Sequence, residues 1–140
     1  MVGSAMESQI KLSRETCDLT NPRQTKQLFK LIKPDGVIHC AGKVGGIGGN
    51  SNYKGEYFYD NLMINTNVIE SARKAGVKNL VAFLSTCVFP DKVKYPLTVD
   101  QIQLGEPHES NYPYAYAKRM ADVQIRACLL YTSPSPTRPY

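Results

Sequence analysis

Tyr114 and Lys118 stand four residues apart in the segment Tyr-Ala-Tyr-Ala-Lys. Residues at this spacing lie on one face of a helix, so both side chains can reach the same ligand. A phenol has an ordinary pKa of about 10, and a neighbouring ammonium lowers that pKa because it favours the phenolate. Such a pair can move a proton while a nicotinamide cofactor moves a hydride.

The position of this pair says more than its spacing, because a chain with nine tyrosines is expected to contain one Tyr-x-x-x-Lys by chance. Ser85 ends an apolar segment about thirty residues earlier. A serine hydroxyl there can hold a substrate carbonyl oxygen beside the phenol. The elements that carry Ser85 and Tyr114 must therefore bring the two side chains together.

Strand and helix patterns alternate along the chain. The predicted elements are a strand at Gln9–Ser13, a helix from Pro22 to about Lys33, a strand at Gly36–Ala41, a glycine-rich loop at Gly42–Asn50, a helix at about Glu56–Lys74, a strand at Asn79–Ser85, a loop at Phe89–Asn111 and a helix at about Pro113–Ala127. This order predicts an α/β fold, a Rossmann-like doubly wound parallel sheet. Ligands of such sheets bind beyond the carboxyl ends of the strands, where the glycine loop, Ser85 and the Tyr114 helix all lie.

Several residues carry more local predictions. The strands at 36–41 and 79–85 are apolar enough to be covered on both faces. Asn21 is a candidate N-cap and Gly76 a candidate C-cap. The residues expected on the inward helix faces are Leu28, Leu31 and Ile32 in the first helix and Phe58, Leu62, Ile69 and Ala72 in the second.

Bulk properties narrow the function classes. The 140 residues suit one domain, and the net charge of +5 is scattered, so it does not call for a nucleic-acid partner. The cysteines are Cys17, Cys40, Cys87 and Cys128, without metal-ligand spacing, and we expect reduced thiols in the cytoplasm and no metal. We expect neither a membrane span nor a signal peptide.

Four segments resemble the extended short-chain dehydrogenase/reductase superfamily, and within it the family of epimerase-reductases that make GDP-L-fucose. The segments are Met1–Ala5, Val37–Gly46, Leu84–Lys92 and Tyr114–Met120. The resemblance implies epimerisation of GDP-4-keto-6-deoxy-D-mannose at C3 and C5, then reduction at C4 with NADPH. It also implies a homodimer joined through the two long helices.

The resemblance covers only the middle of a family member. It implies a partial NADP-binding domain at residues 1–127 that lacks the first strand, and no substrate domain. Residues 128–140 do not resemble the family but do resemble translated sequencing-adaptor DNA, so we expect a non-native tail; a natural Pro/Ser-rich tail is the alternative. We expect the 140 residues by themselves to be inactive.

The resemblance also assigns roles to residues. Ser85 and Tyr114 would hold the C4 oxygen, Cys87 would be one acid–base group of the epimerisation, and Lys118 would hold the cofactor ribose and lower the Tyr114 pKa. The implied cofactor-binding residues are Gly3, Arg14, Asp18, Leu19, Ala41, Gly42, Lys43, Phe83, Leu84 and Thr86. Of these, Arg14 would favour NADPH because its charge would lie near the adenosine 2′-phosphate.

Two alternatives stay open. The chain could come from another nucleotide-sugar epimerase or dehydratase of the same superfamily. Such an enzyme is expected to have an acidic residue, or no protic group, where this chain has Cys87. It could also be a non-catalytic nucleotide-binding module, which would have no use for Ser85, Tyr114 and Lys118 together.

Overall fold

The computed structural model describes residues 10–132, except for the side chains of Ile47, Asn50 and residues 129–132. Its helices and strands are α1 (Pro22–Ile32), β1 (Gly36–His39), α2 (Gly46–Asn52), α3 (Lys54–Lys74), β2 (Asn79–Ala82) and α4 (Tyr112–Thr132), with 3₁₀ turns at Thr86–Val88 and Val99–Gln103. β1 and β2 pair in parallel. The predicted α/β class with a parallel sheet is confirmed. Within the described range, no helix is both long and apolar enough to cross a membrane.

The predicted strand at Gln9–Ser13 is wrong for the part that can be seen. Gln9 lies outside the described residues, and residues 10–13 form an irregular segment that leads into a turn. The Ser13 carbonyl oxygen accepts hydrogen bonds from the backbone N–H groups of Thr16 and Cys17. The Ser13 carbonyl oxygen is therefore bonded within the turn and is not available for pairing with a neighbouring strand.

Helix α1 begins as predicted. The Asn21 side chain accepts hydrogen bonds from the N–H groups of Arg23 at 3.0 Å and Gln24 at 3.2 Å, as an N-cap does. The inward face differs from the prediction, because Thr25 and Phe29 are the buried residues and Leu31 is 82% exposed. The hydroxyl of Thr25 donates to the Asn21 carbonyl oxygen, which allows a polar side chain to be buried.

Helix α3 lies between α1 and α4 and packs against both. Ile69 and Ala72 are buried as predicted, but Phe58 is partly exposed and Asn61 and Asn65 are buried in its place. Gly76 follows the helix with a φ of 73°, a backbone conformation that glycine adopts without strain, so the predicted C-terminal signal is confirmed.

The helices cover one face of the sheet. Phe29, Val68 and Ala72 form a buried cluster against which Val37 packs. On the opposite face, Ile38 and Val81 are register partners and are 47% and 54% exposed. The prediction of strands covered on both faces is therefore wrong for the part of the chain that the structure describes, where this second face stays about half exposed.

His39 is buried at the end of β1, where its Nε2 lies 2.9 Å from the Asn65 Oδ1. Burial lowers the His39 pKa to about 4, and the nearby Lys118 charge acts in the same direction. The folded protein therefore holds a neutral imidazole over a pH range in which an unfolded chain would protonate it.

Stability should consequently fall as the pH drops below about 6.5, the ordinary histidine pKa. Because folding depresses the pKa, this loss should grow until about pH 4 and reach up to about 3 kcal/mol. Urea unfolding of the wild type and a His39→Gln variant between pH 4 and 7.5 would measure it. The variant should lose less stability than the wild type on acidification, whereas parallel curves would contradict the prediction.

Candidate active site at the strand ends

The carboxyl ends of the two strands lie side by side. The Phe83 N–H donates to the His39 carbonyl oxygen at 3.0 Å, which extends the pairing by one residue beyond β2. The chain then leaves β1 through Ala41, Gly42 and Lys43, and leaves β2 through Ser85 into the 3₁₀ turn. Both exits open at the same edge of the sheet, as the sequence predicted.

Ser85 and Cys87 meet across this turn. The Val88 N–H donates to the Ser85 carbonyl oxygen at 3.1 Å, which closes the turn and directs both side chains to one side. The Cys87 Sγ donates to the Ser85 Oγ at 3.2 Å. The Ser85 hydroxyl also lies near enough to the buried Tyr114 phenol to affect its pKa. Ser85 is thus close to both a thiol and a phenol.

Lys118 lies one helical turn after Tyr114 on α4 and is buried to the same degree. Its Nζ lies 6.0 Å from the centroid of the Tyr114 ring and donates to the Phe83 carbonyl oxygen at 3.3 Å. The four residues predicted to be catalytic, Ser85, Cys87, Tyr114 and Lys118, are therefore brought together at the end of β2.

The electrostatics differ from the prediction at Tyr114. Burial raises the pKa of the phenol, Cys87 adds to this rise, and Ser85 only partly opposes it. The expected lowering of the Tyr114 pKa by Lys118 is wrong, because loss of solvent sets the direction and Lys118 is not among the groups that shift this pKa. Burial also lowers the Lys118 pKa.

Burial raises the pKa of the Cys87 thiol as well. The Ser85 hydrogen bond and the positive charges of Lys118 and Arg119 act against this rise without cancelling it. At neutral pH Cys87 and Tyr114 are therefore both protonated, and both can act as proton donors.

The predicted glycine loop is partly helical. Residues 42–45 are irregular, but α2 begins at Gly46, which is a correction to the expected loop over Gly42–Asn50. Side chains at Gly45 and Gly49 would collide with the ring of Tyr57, which packs over them from α3. Glycine here permits close packing of α2 against α3 rather than disorder.

Lys43 faces α3. Its Nζ makes ion pairs of 2.9 Å with Glu56 and with Asp60, and it lies 5.4 Å from the centroid of the Tyr57 ring. Both carboxylates raise the Lys43 pKa. The Lys43 side chain is thus occupied by protein partners.

The remaining cofactor-binding assignments stay predictions. Gly3 lies outside the described residues, and Arg14 lies in an exposed turn. Asp18 accepts hydrogen bonds from the Thr20 N–H and hydroxyl at 3.0 and 2.7 Å, which orders the loop that also holds Leu19. Ala41, Leu84 and Thr86 flank the strand ends, where Leu84 is half-buried and Thr86 is exposed.

Sequence reasoning missed the buried polar residues that hold this edge together. Asn61, Asn65 and Asn67 on α3 each bond the backbone of another segment. Asn61 and Asn65 are four residues apart and precede Val68, Ile69 and Ala72 at helical spacing, a signal that a search for apolar residues alone overlooks.

Arg119 is a fourth such residue. Its Nε donates to the Val88 carbonyl oxygen at 2.7 Å, and its guanidinium lies 5.3 Å from the centroid of the Tyr116 ring. Its Nη2 is buried without a hydrogen-bond partner among the described residues. Arg119 thus fixes the end of the 3₁₀ turn that carries Cys87.

Comparisons with known proteins show the family of the chain. The profile of the NAD dependent epimerase/dehydratase family matches residues 3–130. A GDP-L-fucose synthase of Dictyostelium discoideum is 40% identical over 156 residues, which cover 100% of this chain and 49% of the relative. A probable GDP-L-fucose synthase of Drosophila melanogaster is 42% identical over 138 residues, or 91% of this chain and 43% of the relative.

A solved structure is also similar. The GDP-L-fucose synthetase of Naegleria fowleri bound to NADP has a TM-score of 0.79 and 42% identity, over 86% of this chain and 36% of that chain. The chain spans less than half the length of the two curated relatives. The division into a domain at residues 1–127 and a tail at 128–140 stays a prediction.

The raised Cys87 pKa predicts slow alkylation at neutral pH. The rate of Cys87 modification by iodoacetamide should rise at a higher pH than that of N-acetylcysteine, because the thiolate is the nucleophile. A Ser85→Ala variant should move the rise to still higher pH, since it removes a hydrogen bond that lowers the pKa. Mass spectrometry of the Cys87 peptide between pH 7 and 10 would measure both. A shift to lower pH in the variant would contradict the interpretation.

The packing of Tyr57 over α2 predicts that alanine substitutions at two glycines will affect stability differently. Gly45→Ala should cost about 1–3 kcal/mol of stability because its Cβ would overlap the Tyr57 hydroxyl. Gly48→Ala, with open space around its Cβ, should be neutral or stabilise by up to about 1 kcal/mol. Urea unfolding would measure both. Adding Tyr57→Phe should recover part of the Gly45→Ala loss, and equal losses in the two alanine variants would exclude this packing effect.

Proposed function

Because the chain belongs to the NAD-dependent epimerase/dehydratase family, we propose that it is part of an NADPH-dependent epimerase-reductase. The proposed substrate is GDP-4-keto-6-deoxy-D-mannose and the product GDP-L-fucose. The observation that carries the proposal is the meeting of Ser85, Cys87, Tyr114 and Lys118 at the end of β2. The GDP-L-fucose synthases of Dictyostelium and Drosophila support the choice of substrate.

The residues at the strand ends fit a dinucleotide. A Cβ on Gly42 would lie 2.9 Å from the Asn61 Oδ1 and 3.4 Å from the Lys118 Nζ, so only glycine leaves this backbone close to both. Lys118 is a buried ammonium that could donate to ribose hydroxyls. Ala41, Gly42, Phe83, Leu84 and Thr86 would line the cofactor. NADPH, when bound, supplies the hydride for the reduction.

Epimerisation uses the acidity of the hydrogens next to the C4 ketone, whose removal leaves an enolate. Ser85 and Tyr114 would donate hydrogen bonds to the C4 oxygen and stabilise the negative charge that develops there. Cys87 would exchange a proton with one carbon. Since burial keeps its thiol protonated at neutral pH, proton return to that carbon is the step it suits best.

Reduction uses the same oxygen. Tyr114 would give its proton to the C4 oxygen as hydride reaches C4, and its raised pKa favours the protonated resting form that this step requires. Lys118, one turn away and bonded to the Phe83 carbonyl oxygen, would hold the cofactor ribose beside Tyr114.

The proposal includes a homodimer in the cytoplasm, joined through α3 and α4. Apolar side chains that remain exposed on these two helices support such a contact, among them Tyr59, Met120 and Val123.

Activity should be tested on the product of the natural gene, read across both ends of this coding frame. Tyr114→Phe should reduce NADPH-dependent reduction by about 10²–10⁴-fold, the usual contribution of a general acid. Tyr116→Phe is the matched control. It removes the same hydroxyl group from a neighbouring tyrosine and keeps the ring that packs on Arg119 and Tyr112. Stopped-flow oxidation of NADPH gives the rates. Equal rates in the two variants would refute the role of Tyr114.

Cys87 distinguishes this reaction from that of sibling enzymes. Cys87→Ser should abolish most deuterium incorporation at C3 or C5 in D₂O while leaving NADPH binding intact. Undiminished exchange would favour another nucleotide-sugar epimerase or dehydratase. If the protein encoded by the natural gene binds NADPH but never oxidises it, the non-catalytic alternative is favoured.

A further inference from the structure

Asn61 makes an unusual set of contacts for a side chain within a helix. It is fully buried, and its amide reaches the backbone of residue 43, eighteen residues earlier in the chain. The Oδ1 accepts the Lys43 N–H at 3.0 Å, and the Nδ2 donates to the Lys43 carbonyl oxygen at 3.0 Å. One amide therefore satisfies both backbone groups of a single residue, much as a strand partner would.

A third contact uses the second N–H of the amide. The Nδ2 also donates to the Tyr57 carbonyl oxygen at 2.7 Å, one turn earlier on α3. This bond fixes the rotation of the amide, so that its oxygen and nitrogen cannot exchange places without losing contacts. The position of Lys43 relative to α3 is thereby set by a rigid group rather than by a flexible one.

Lys43 lies shortly after the end of β1. The preceding Gly42 lies beside Asn61 and Lys118, and a Cβ on Gly42 would lie only 2.9 Å from the Asn61 Oδ1. The Lys43 side chain turns away to Glu56 and Asp60 on the same helix. Side chains of α3 thus hold the Lys43 backbone, the Lys43 ammonium and the neighbouring Gly42 at set positions. The Asn61 amide bonds the Lys43 backbone and lies beside Gly42.

We propose that Asn61 is a positioning residue for the cofactor: it holds the Gly42–Lys43 backbone where that backbone meets the dinucleotide and keeps Gly42 against Lys118. This inference rests on the proposed NADPH binding. Asn61 acts through the loop and does not itself touch the cofactor.

The first test compares NADPH affinity by fluorescence titration of the natural gene product. Asn61→Ala should raise the Kd for NADPH at least tenfold. Gln124→Ala is the matched control, because its amide also donates to a backbone carbonyl oxygen of α3, that of Thr66, away from the strand ends. The control should change the Kd less than threefold.

The second test separates positioning from folding. Asn61→Asp keeps the shape of the side chain but, when ionised, turns a carboxylate toward the carbonyl oxygens of Lys43 and Tyr57. A protonated carboxyl can still donate one hydrogen bond. The ratio of variant to wild-type Kd should therefore grow at least fivefold from pH 5.5 to pH 8. A purely structural role would lower the melting temperature and leave this ratio constant.

The outcomes are distinguishable. A wild type that does not bind NADPH would overturn the proposed function itself. A wild type that binds, together with Asn61 variants of unchanged Kd, would overturn the role of Asn61 alone. Should both Asn61 variants fail to fold, Gly42→Ala pushes the loop off the same amide without altering α3, and an unchanged Kd in that variant would equally overturn the proposal.

Discussion

The structure depends on the buried asparagines of helix α3, whose amides bond backbone groups of three other segments. Each strand has only four residues, so the chain leaves the sheet early at both carboxyl ends. Buried N–H and C=O groups must then find other partners. Asn61 supplies them for Lys43, Asn65 for Ala117 and Asn67 for Leu19 and Thr20. These amides fix three segments to a single helix.

Much of this arrangement could be predicted from local patterns, and the failures share a cause. The alternation of helix and strand patterns predicts α1, α3, α4 and the parallel pair, and the Asn21 cap depends on residues within one turn of chain. Leu31 and Phe58 were assigned to inward faces because they are apolar, whereas Thr25 and Asn61 occupy such positions. A polar residue can be buried when a distant carbonyl or N–H matches it, and that match belongs to the tertiary structure.

The glycine segment and the Tyr114–Lys118 pair also have properties that depend on the tertiary structure and cannot be predicted from local sequence. Five glycines between Gly42 and Gly49 suggested a loop, but Tyr57 packs against two of them and α2 forms beneath its ring. The four-residue spacing correctly placed Lys118 beside Tyr114, yet not the sign of the pKa shift. Spacing fixes geometry, whereas the pKa depends on how much water the fold removes, which no pair of residues determines.

Removal of water gives the site a consistent character. Burial raises the pKa values of Cys87 and Tyr114 and lowers that of Lys118, so each shift favours the neutral form. In the proposed reaction, an enolate carbon and then a carbonyl oxygen would take up protons from groups already protonated at neutral pH. The packing of α4 against α3 contributes to this environment, because Asn65 on α3 bonds Ala117, which lies between the buried Tyr114 and Lys118 on α4. Acid strength at the proposed site is therefore a property of helix packing as much as of the residues that carry the protons.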